Sequence, residues 1–104
     1  MNRNLCSQIP EELPDELVSV LVENENVKIE RIVSDGHISP SGFWYDQEQD
    51  ECVMVLQGSA VITFEDSTQT ALNIGDHLNI PAHTKHKVSW TDPKIETIWL
   101  AVHY

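Results

Sequence analysis

The chain has 104 residues, with 17 acidic against 6 basic side chains and a formal net charge of −11 at pH 7. That length suits a single domain with one modest core. A field of this sign repels nucleic-acid phosphates and anionic membranes, and no apolar run is long enough to cross a bilayer. We therefore expect neither nucleic acid nor a membrane as a partner.

Cysteine usage and the N-terminal residues predict a cytoplasmic protein. Cys6 and Cys52 form neither a CxxC pair nor a disulfide-rich pattern, which favours reduced thiols. No basic stretch followed by a long apolar run is visible at the N-terminus, so no secretory signal is predicted.

The first 23 residues carry the one helical signal in the chain. Two prolines are each followed closely by carboxylates, a pattern that favours a helix start. Leu13, Leu17 and Leu21 recur at a spacing of four and would share one helical face. We predict a short helix over residues 15–21, although the β-branched run 18–22 leaves a strand open.

From residue 24 onward the sequence consists of short β-type runs separated by turn residues. Residues 27–33 alternate, the apolar run 52–56 ends at Gly58, and Gly75 begins another turn. About seven or eight such runs follow one another with no crossover helix between them. The sequence therefore predicts an all-β antiparallel barrel over residues 24–104, preceded by an N-terminal extension, residues 1–23, with the short helix.

Two segments resemble the paired signatures of the cupin superfamily. Residues 75–86 contain a glycine, five intervening residues, a proline, and His86 five positions beyond the proline. In the other segment, six residues separate Glu51 from Gly58. The resemblance implies an RmlC-like barrel of the jelly-roll type. It also implies that Glu51 and His86 lie close together at one pocket.

The family's usual pocket holds a metal with three histidines and a glutamate, and this sequence departs from that pattern. The His-x-His pair before Glu51 is missing, and Tyr45 and Gln47 stand nearest to it with Asp46 between them. A one-residue ambiguity leaves open whether Asp46 or Gln47 points inward. The resemblance implies a divalent ion of iron, manganese, nickel or zinc. Its predicted ligands are Gln47, Glu51 and His86, with Asp46, His37 and His77 as alternatives.

Two functions follow from these features. The first is a metal-dependent enzyme acting on a small polar or anionic metabolite, with Tyr45 and His83 as the proton-transfer groups. The alternative is a non-catalytic binding or sensor barrel without metal, which the missing histidine pair and the available aromatic residues favour. Because barrels of this kind often pair through their strands, we also expect a homodimer.

Overall fold

Eight antiparallel strands make up the regular structure of the chain in a computed structural model that describes residues 3–104. In chain order they are β1 (Leu17–Glu23), β2 (Lys28–Ser34), β3 (Glu51–Gln57), β4 (Ala60–Phe64), β5 (Gln69–Leu72), β6 (His77–Ile80), β7 (His86–Thr91) and β8 (Thr97–His103). Across residues 3–104, no helix is long and apolar enough to span a membrane. The all-β prediction is confirmed.

The predicted N-terminal helix is wrong, because the same residues form strand β1. This strand pairs antiparallel with β2, from Leu17 opposite Val33 to Glu23 opposite Lys28, with a bulge at Leu21. β-Branched side chains lose rotamer freedom in a helix and fit an extended strand. The ladder with β2 also satisfies backbone groups that a single helical turn would leave unpaired. The valines therefore outweigh the leucine spacing.

The strands form two sheets that enclose the core. The larger sheet has the order β1-β2-β8-β3-β6, and the smaller has the order β5-β4-β7. The core between them consists of buried apolar side chains from five strands of both sheets: Val53, Val55, Ala60, Ile62, Leu72, Ile80, Trp99 and Ala101. At one end of this core, polar side chains lie between the two sheets.

Alternation along β3 and β8 places those polar groups. Glu51, Val53 and Val55 on β3 are all buried, as are Ala101 and His103 on β8. In the β3–β8 ladder, Glu51 stands directly opposite His103. Because the inward positions change from apolar to ionisable at the same end of both strands, the barrel has an apolar end and a polar end.

The turn between β3 and β4 depends on a glycine. Gly58 has a φ of +80°, and a Cβ added there would lie 2.8 Å from the Cα of Thr97. Any other residue would be strained by its backbone conformation and would also collide with the start of β8. The glycine that ends the first signature segment therefore lets two neighbouring strands approach closely.

Candidate functional site

A cavity of about 180 Å³ lies at the polar end of the barrel, between the two sheets. Apolar side chains from strands of both sheets form much of its wall: Val53, Ile62, Ile80, Val88 and Trp99. Ionisable and amide side chains complete the wall: Glu16, Glu30, Tyr45, Gln47, Glu51, His86 and His103. The cavity thus joins an apolar surface to a group of proton donors and acceptors.

Glu51 occupies the centre of this polar group. Its side chain is only 9% exposed, and its carboxylate faces two imidazoles. Oε1 lies 3.5 Å from Nε2 of His86, and Oε2 lies 3.8 Å from Nε2 of His103. Charge-assisted hydrogen bonds of this type are normally about 2.7–2.9 Å long. The buried carboxylate is therefore near two imidazoles but in close contact with neither.

His103 instead binds a second carboxylate. Its Nε2 lies 2.8 Å from Oε1 of Glu30, at the distance of a strong hydrogen bond in which Nε2–H donates. Strand β2 supplies Glu30 beside β8, and Lys28 lies 3.9 Å from the other oxygen of the same carboxylate. Nε2 of His103 therefore donates its hydrogen bond to Glu30 and not to Glu51.

A backbone carbonyl fixes the orientation of His86. Nδ1 lies 2.8 Å from the carbonyl oxygen of Thr84, which can only accept a hydrogen bond, so Nδ1 carries a proton. The neutral ring therefore presents the lone pair of Nε2 to Glu51. Two acceptors face each other across 3.5 Å unless a proton or another donor lies between them.

Protonation of His86 is favoured by its neighbours. Burial lowers the pKa of this imidazole, but the hydrogen bond and charge of Glu51, together with the Thr84 carbonyl, raise it further than burial lowers it. The net result is a pKa above the ordinary value of 6.5. The Glu51 carboxylate therefore favours the protonated form of His86.

Tyr45 forms the wall beside this pair because the loop between β2 and β3 runs along β7. The Tyr45 N–H donates to the carbonyl of His86 at 2.7 Å, and the His86 N–H donates back at 3.1 Å. The two rings stack with centroids 5.4 Å apart. Burial raises the pKa of the Tyr45 phenol, and the charges of Glu16, Glu51 and Glu30 raise it further. Tyr45 therefore keeps its proton and can donate a hydrogen bond.

A third carboxylate reaches the cavity from the residue before β1. Oε2 of Glu16 accepts a hydrogen bond from the Ser34 hydroxyl at 2.7 Å. The Ser34 oxygen in turn accepts a hydrogen bond from the buried Trp99 indole N–H at 3.2 Å. This relay ties the N-terminal segment to the core and directs Glu16 toward the cavity.

Four of the residues predicted from the sequence lie in the cavity wall, and four do not. Tyr45, Gln47, Glu51 and His86 line it. Asp46 points away, and its Oδ1 lies 2.9 Å from Nδ1 of His83, whose side chain is 67% exposed. His77 is exposed on β6. His37 bonds the backbone N–H of Asp35 through Nδ1 and lies 3.3 Å from the Pro14 carbonyl.

Sequence reasoning missed three of the residues that line the cavity: Glu16, Glu30 and His103. The sequence contained a signal for Glu30 and His103. Glu30 is two residues from Ile32 on β2 and so shares its face, and His103 likewise shares a face with Trp99 and Ala101 on β8. That alternation gives the inward face of each strand but not which strands are neighbours. The adjacency of β2, β8 and β3 brings these side chains to Glu51.

The donors present do not fit a resident divalent metal held by three ionisable ligands. Among residues 3–104, no three histidine, cysteine, aspartate or glutamate side chains are arranged to hold an ion. Glu51 and His86 supply two donors, whereas Nε2 of His103 binds Glu30. Zinc sites in proteins normally combine at least three such ligands.

Comparisons with known proteins agree on the family of the chain. Residues 33–103 match the family described as the cupin domain. A solved structure of a candidate mannose-6-phosphate isomerase from Ralstonia eutropha JMP134 is 49% identical, with a TM-score of 0.94. The match covers 99% of this chain and 96% of that one. None of the curated proteins matches the chain significantly.

Two further structures extend the likeness. A cupin superfamily protein from Desulfitobacterium hafniense DCB-2 is 25% identical with a TM-score of 0.75, over 91% of this chain and 82% of that one. An RmlC-like cupin protein from Desulfovibrio desulfuricans is 18% identical with a TM-score of 0.76, over 99% of this chain and 95% of that one. At that lower identity the likeness concerns the fold alone.

Proposed function

This chain belongs to the cupin domain family, and we propose that it is a small-molecule-binding barrel whose ligand contacts Glu51 and His86. The cavity supports this function because it combines an apolar wall with a few convergent polar groups, as ligand sites do. Its volume of about 180 Å³ suits a small metabolite. For comparison, a cavity of about 150 Å³ accommodates benzene.

The observation that carries the proposal is the incomplete partnering of the Glu51 carboxylate. A buried charge is costly unless close hydrogen bonds compensate it. The nearest imidazole nitrogens stand 3.5 and 3.8 Å from its oxygens. An O–H or N–H group of a ligand in the cavity would donate the close hydrogen bond that this carboxylate lacks from the imidazoles.

The same groups support proton-transfer chemistry on the ligand. Nε2 of His86 and the Glu51 carboxylate can accept a proton, and the Tyr45 hydroxyl can donate a hydrogen bond. His83, the other proton-transfer group predicted from the sequence, lies outside the cavity wall beside Asp46. In an enzymatic form of this function, Glu51 and His86 would therefore exchange protons with the ligand.

Isomerisation is the reaction suggested by the name of one similar protein. The relative from Ralstonia eutropha is named as a candidate mannose-6-phosphate isomerase, and it is 49% identical to this chain. Moving a carbonyl between neighbouring carbons requires a group that removes a proton and returns it. The Glu51–His86 pair has the chemistry for that step, so sugar isomerisation is a second candidate function.

The metal-dependent form predicted from the sequence is the third candidate. In its favour, His86 presents the Nε2 lone pair toward Glu51, as a shared cation would require. Gln47 lines the same cavity and would be the next ligand. Against it stands the lack of a third ionisable ligand among residues 3–104.

A fragment screen by ligand-observed NMR tests the proposal. We expect the fragments that bind the parent protein to bind the Glu51→Gln variant about tenfold more weakly. The reason is that the buried group that accepts a hydrogen bond from the ligand loses its negative charge. His77→Gln is the matched control, since His77 is exposed and does not line the cavity. Hits that bind Glu51→Gln as tightly as the parent would contradict the proposal.

We also propose that the protein works as a cytoplasmic homodimer. Free Cys6 and Cys52 support a reducing compartment. Strand β1 lies at the edge of the larger sheet and exposes Val20 and Val22, each 53% accessible. An exposed apolar edge strand is a site for pairing with a second chain.

A further inference from the structure

We propose that the ligand of this cavity is a small organic cation, a protonated amine attached to an apolar body. This inference rests on the proposed function above and adds the chemical class of the ligand. Its basis is the charge of the cavity wall, the partners of its carboxylates and the nature of the remaining surface.

Negative charge dominates the wall. The lining residues include three glutamates, Glu16, Glu30 and Glu51, and two histidines, but no lysine or arginine. The formal charge of the wall therefore lies between −3 with both imidazoles neutral and −1 with both protonated. Arg31, on the neighbouring position of β2, bonds the Leu5 and Ser7 carbonyls instead. While the three glutamates are ionised, a phosphate or carboxylate entering this cavity would meet a net negative wall whether the histidines are neutral or protonated.

The three carboxylates differ in how well they are compensated. Glu30 has a close hydrogen bond from His103 at 2.8 Å. Glu51, with a side chain more than nine-tenths buried, has no imidazole nitrogen nearer than 3.5 Å. Within the described chain, Glu16 has the Ser34 hydroxyl as its hydrogen-bond partner and forms no ion pair. Two carboxylates thus face the cavity with acceptor capacity left for a cationic donor.

The phenol of Tyr45 lies in the cavity wall beside the same three carboxylates. Burial raises its pKa, and Glu16, Glu51 and Glu30 each raise it further by their charge. These carboxylates therefore act together on one point in the cavity wall. A positive group placed beside Tyr45 would be stabilised by the same three charges.

The rest of the wall favours an organic cation over a bare metal ion. Val53, Ile62, Val88 and Trp99 present apolar surface that a hydrated ion could not use. At about 180 Å³, the cavity also has room for several non-hydrogen atoms beyond the charged group. An ammonium group can donate up to three hydrogen bonds, so it could bind Glu51, with the charge of Glu16 on the same cavity wall, while the body packs on the apolar side.

A charge series with one shared ring tests the inference. Benzylamine, benzyl alcohol and benzoate are titrated at pH 7 into chelator-treated protein, with binding followed by NMR. We expect benzylamine to bind at least tenfold more tightly than benzyl alcohol and benzoate to bind most weakly. Glu16→Gln should weaken benzylamine binding about fivefold, as the loss of one partly exposed ion pair does. Glu25→Gln removes the same charge from an exposed turn outside the cavity wall and should change binding less than about twofold.

The outcomes separate this inference from the proposed function. If benzoate or benzyl alcohol binds as tightly as benzylamine and loses affinity in Glu51→Gln, the binding function stands and the cationic ligand is wrong. If the amine binds equally to the parent, Glu16→Gln and Glu51→Gln, both are wrong. The absence of amine binding below about 10 mM overturns the cationic ligand. Stoichiometric Zn²⁺ binding that is lost in Glu51→Gln would overturn the choice of an organic cation.

Discussion

At the scale of single residues, the site depends on which atom of His86 carries the proton. Nδ1 lies 2.8 Å from the Thr84 carbonyl oxygen, so it carries the proton and Nε2 faces Glu51. The carboxylate raises the pKa of the imidazole against the effect of burial. One hydrogen bond to the backbone therefore determines which nitrogen of His86 can exchange a proton in the cavity.

Replacing Glu51 by glutamine should lower the pKa of His86, because the negative charge that raises it is lost while an amide oxygen remains as a weaker acceptor. The check is an NMR titration of the His86 imidazole in the parent and the variant, with exposed His77 as an internal reference. An unchanged His86 pKa in Glu51→Gln would show that the two groups do not interact.

The raised pKa of His86 in the parent protein also makes its folding stability depend on pH. A histidine whose folded pKa is raised above its unfolded value of about 6.5 stabilises the native state fully below that value. The contribution is lost as the pH rises through the folded pKa. The free energy of unfolding of the parent, minus that of Glu51→Gln, should therefore be largest near pH 6 and decrease above it. Urea unfolding of both proteins, at pH 6 and at several higher pH values, measures this difference in unfolding free energy.

At the scale of elements, β1 shows how far sequence patterns reach. The leucine spacing of four predicted a helix, and the run of β-branched residues left a strand open. The strand forms because β2 offers an antiparallel ladder from Lys28 to Val33, and this partner lies in another segment of the chain. Periodicity within β1 contains no information about that ladder. The predicted boundary between residues 23 and 24 stays a prediction, although β1 is a strand of the larger sheet.

The free edge of β1 gives the prediction at this scale. If a second copy pairs along this edge, the parent should be a dimer at micromolar concentration in light scattering. Val20→Lys combined with Val22→Lys should give a monomer, because two charges would then be buried at the contact. Ile74→Lys is the control, since Ile74 is 68% exposed on the β5–β6 connection. A parent that runs as a monomer would contradict the dimer.

At the scale of the whole molecule, the site is assembled from parts that are distant in sequence. The two signature segments identified Glu51 and His86 because each lies at a fixed spacing from a turn glycine. Glu16, Glu30 and His103 have no such motif and reach the cavity only through the sheet order β1-β2-β8-β3. The inward positions of Glu30 and His103 could be inferred from alternation, but β8 lies between β2 and β3 in the sheet although it is the last strand of the chain. The ligand environment therefore required the tertiary structure.

The most direct test of ligand contact with Glu51 and His86 is NMR of ¹⁵N-histidine-labelled, chelator-treated protein during titration with a hit from the fragment screen. We predict that the ligand shifts the Nε2 resonance of His86 in the parent, shifts it much less in Glu51→Gln, and leaves exposed His77 unchanged. A ligand that binds tightly while the His86 resonance stays in place would show that the binding site lies elsewhere, and would contradict ligand binding by the Glu51–His86 pair.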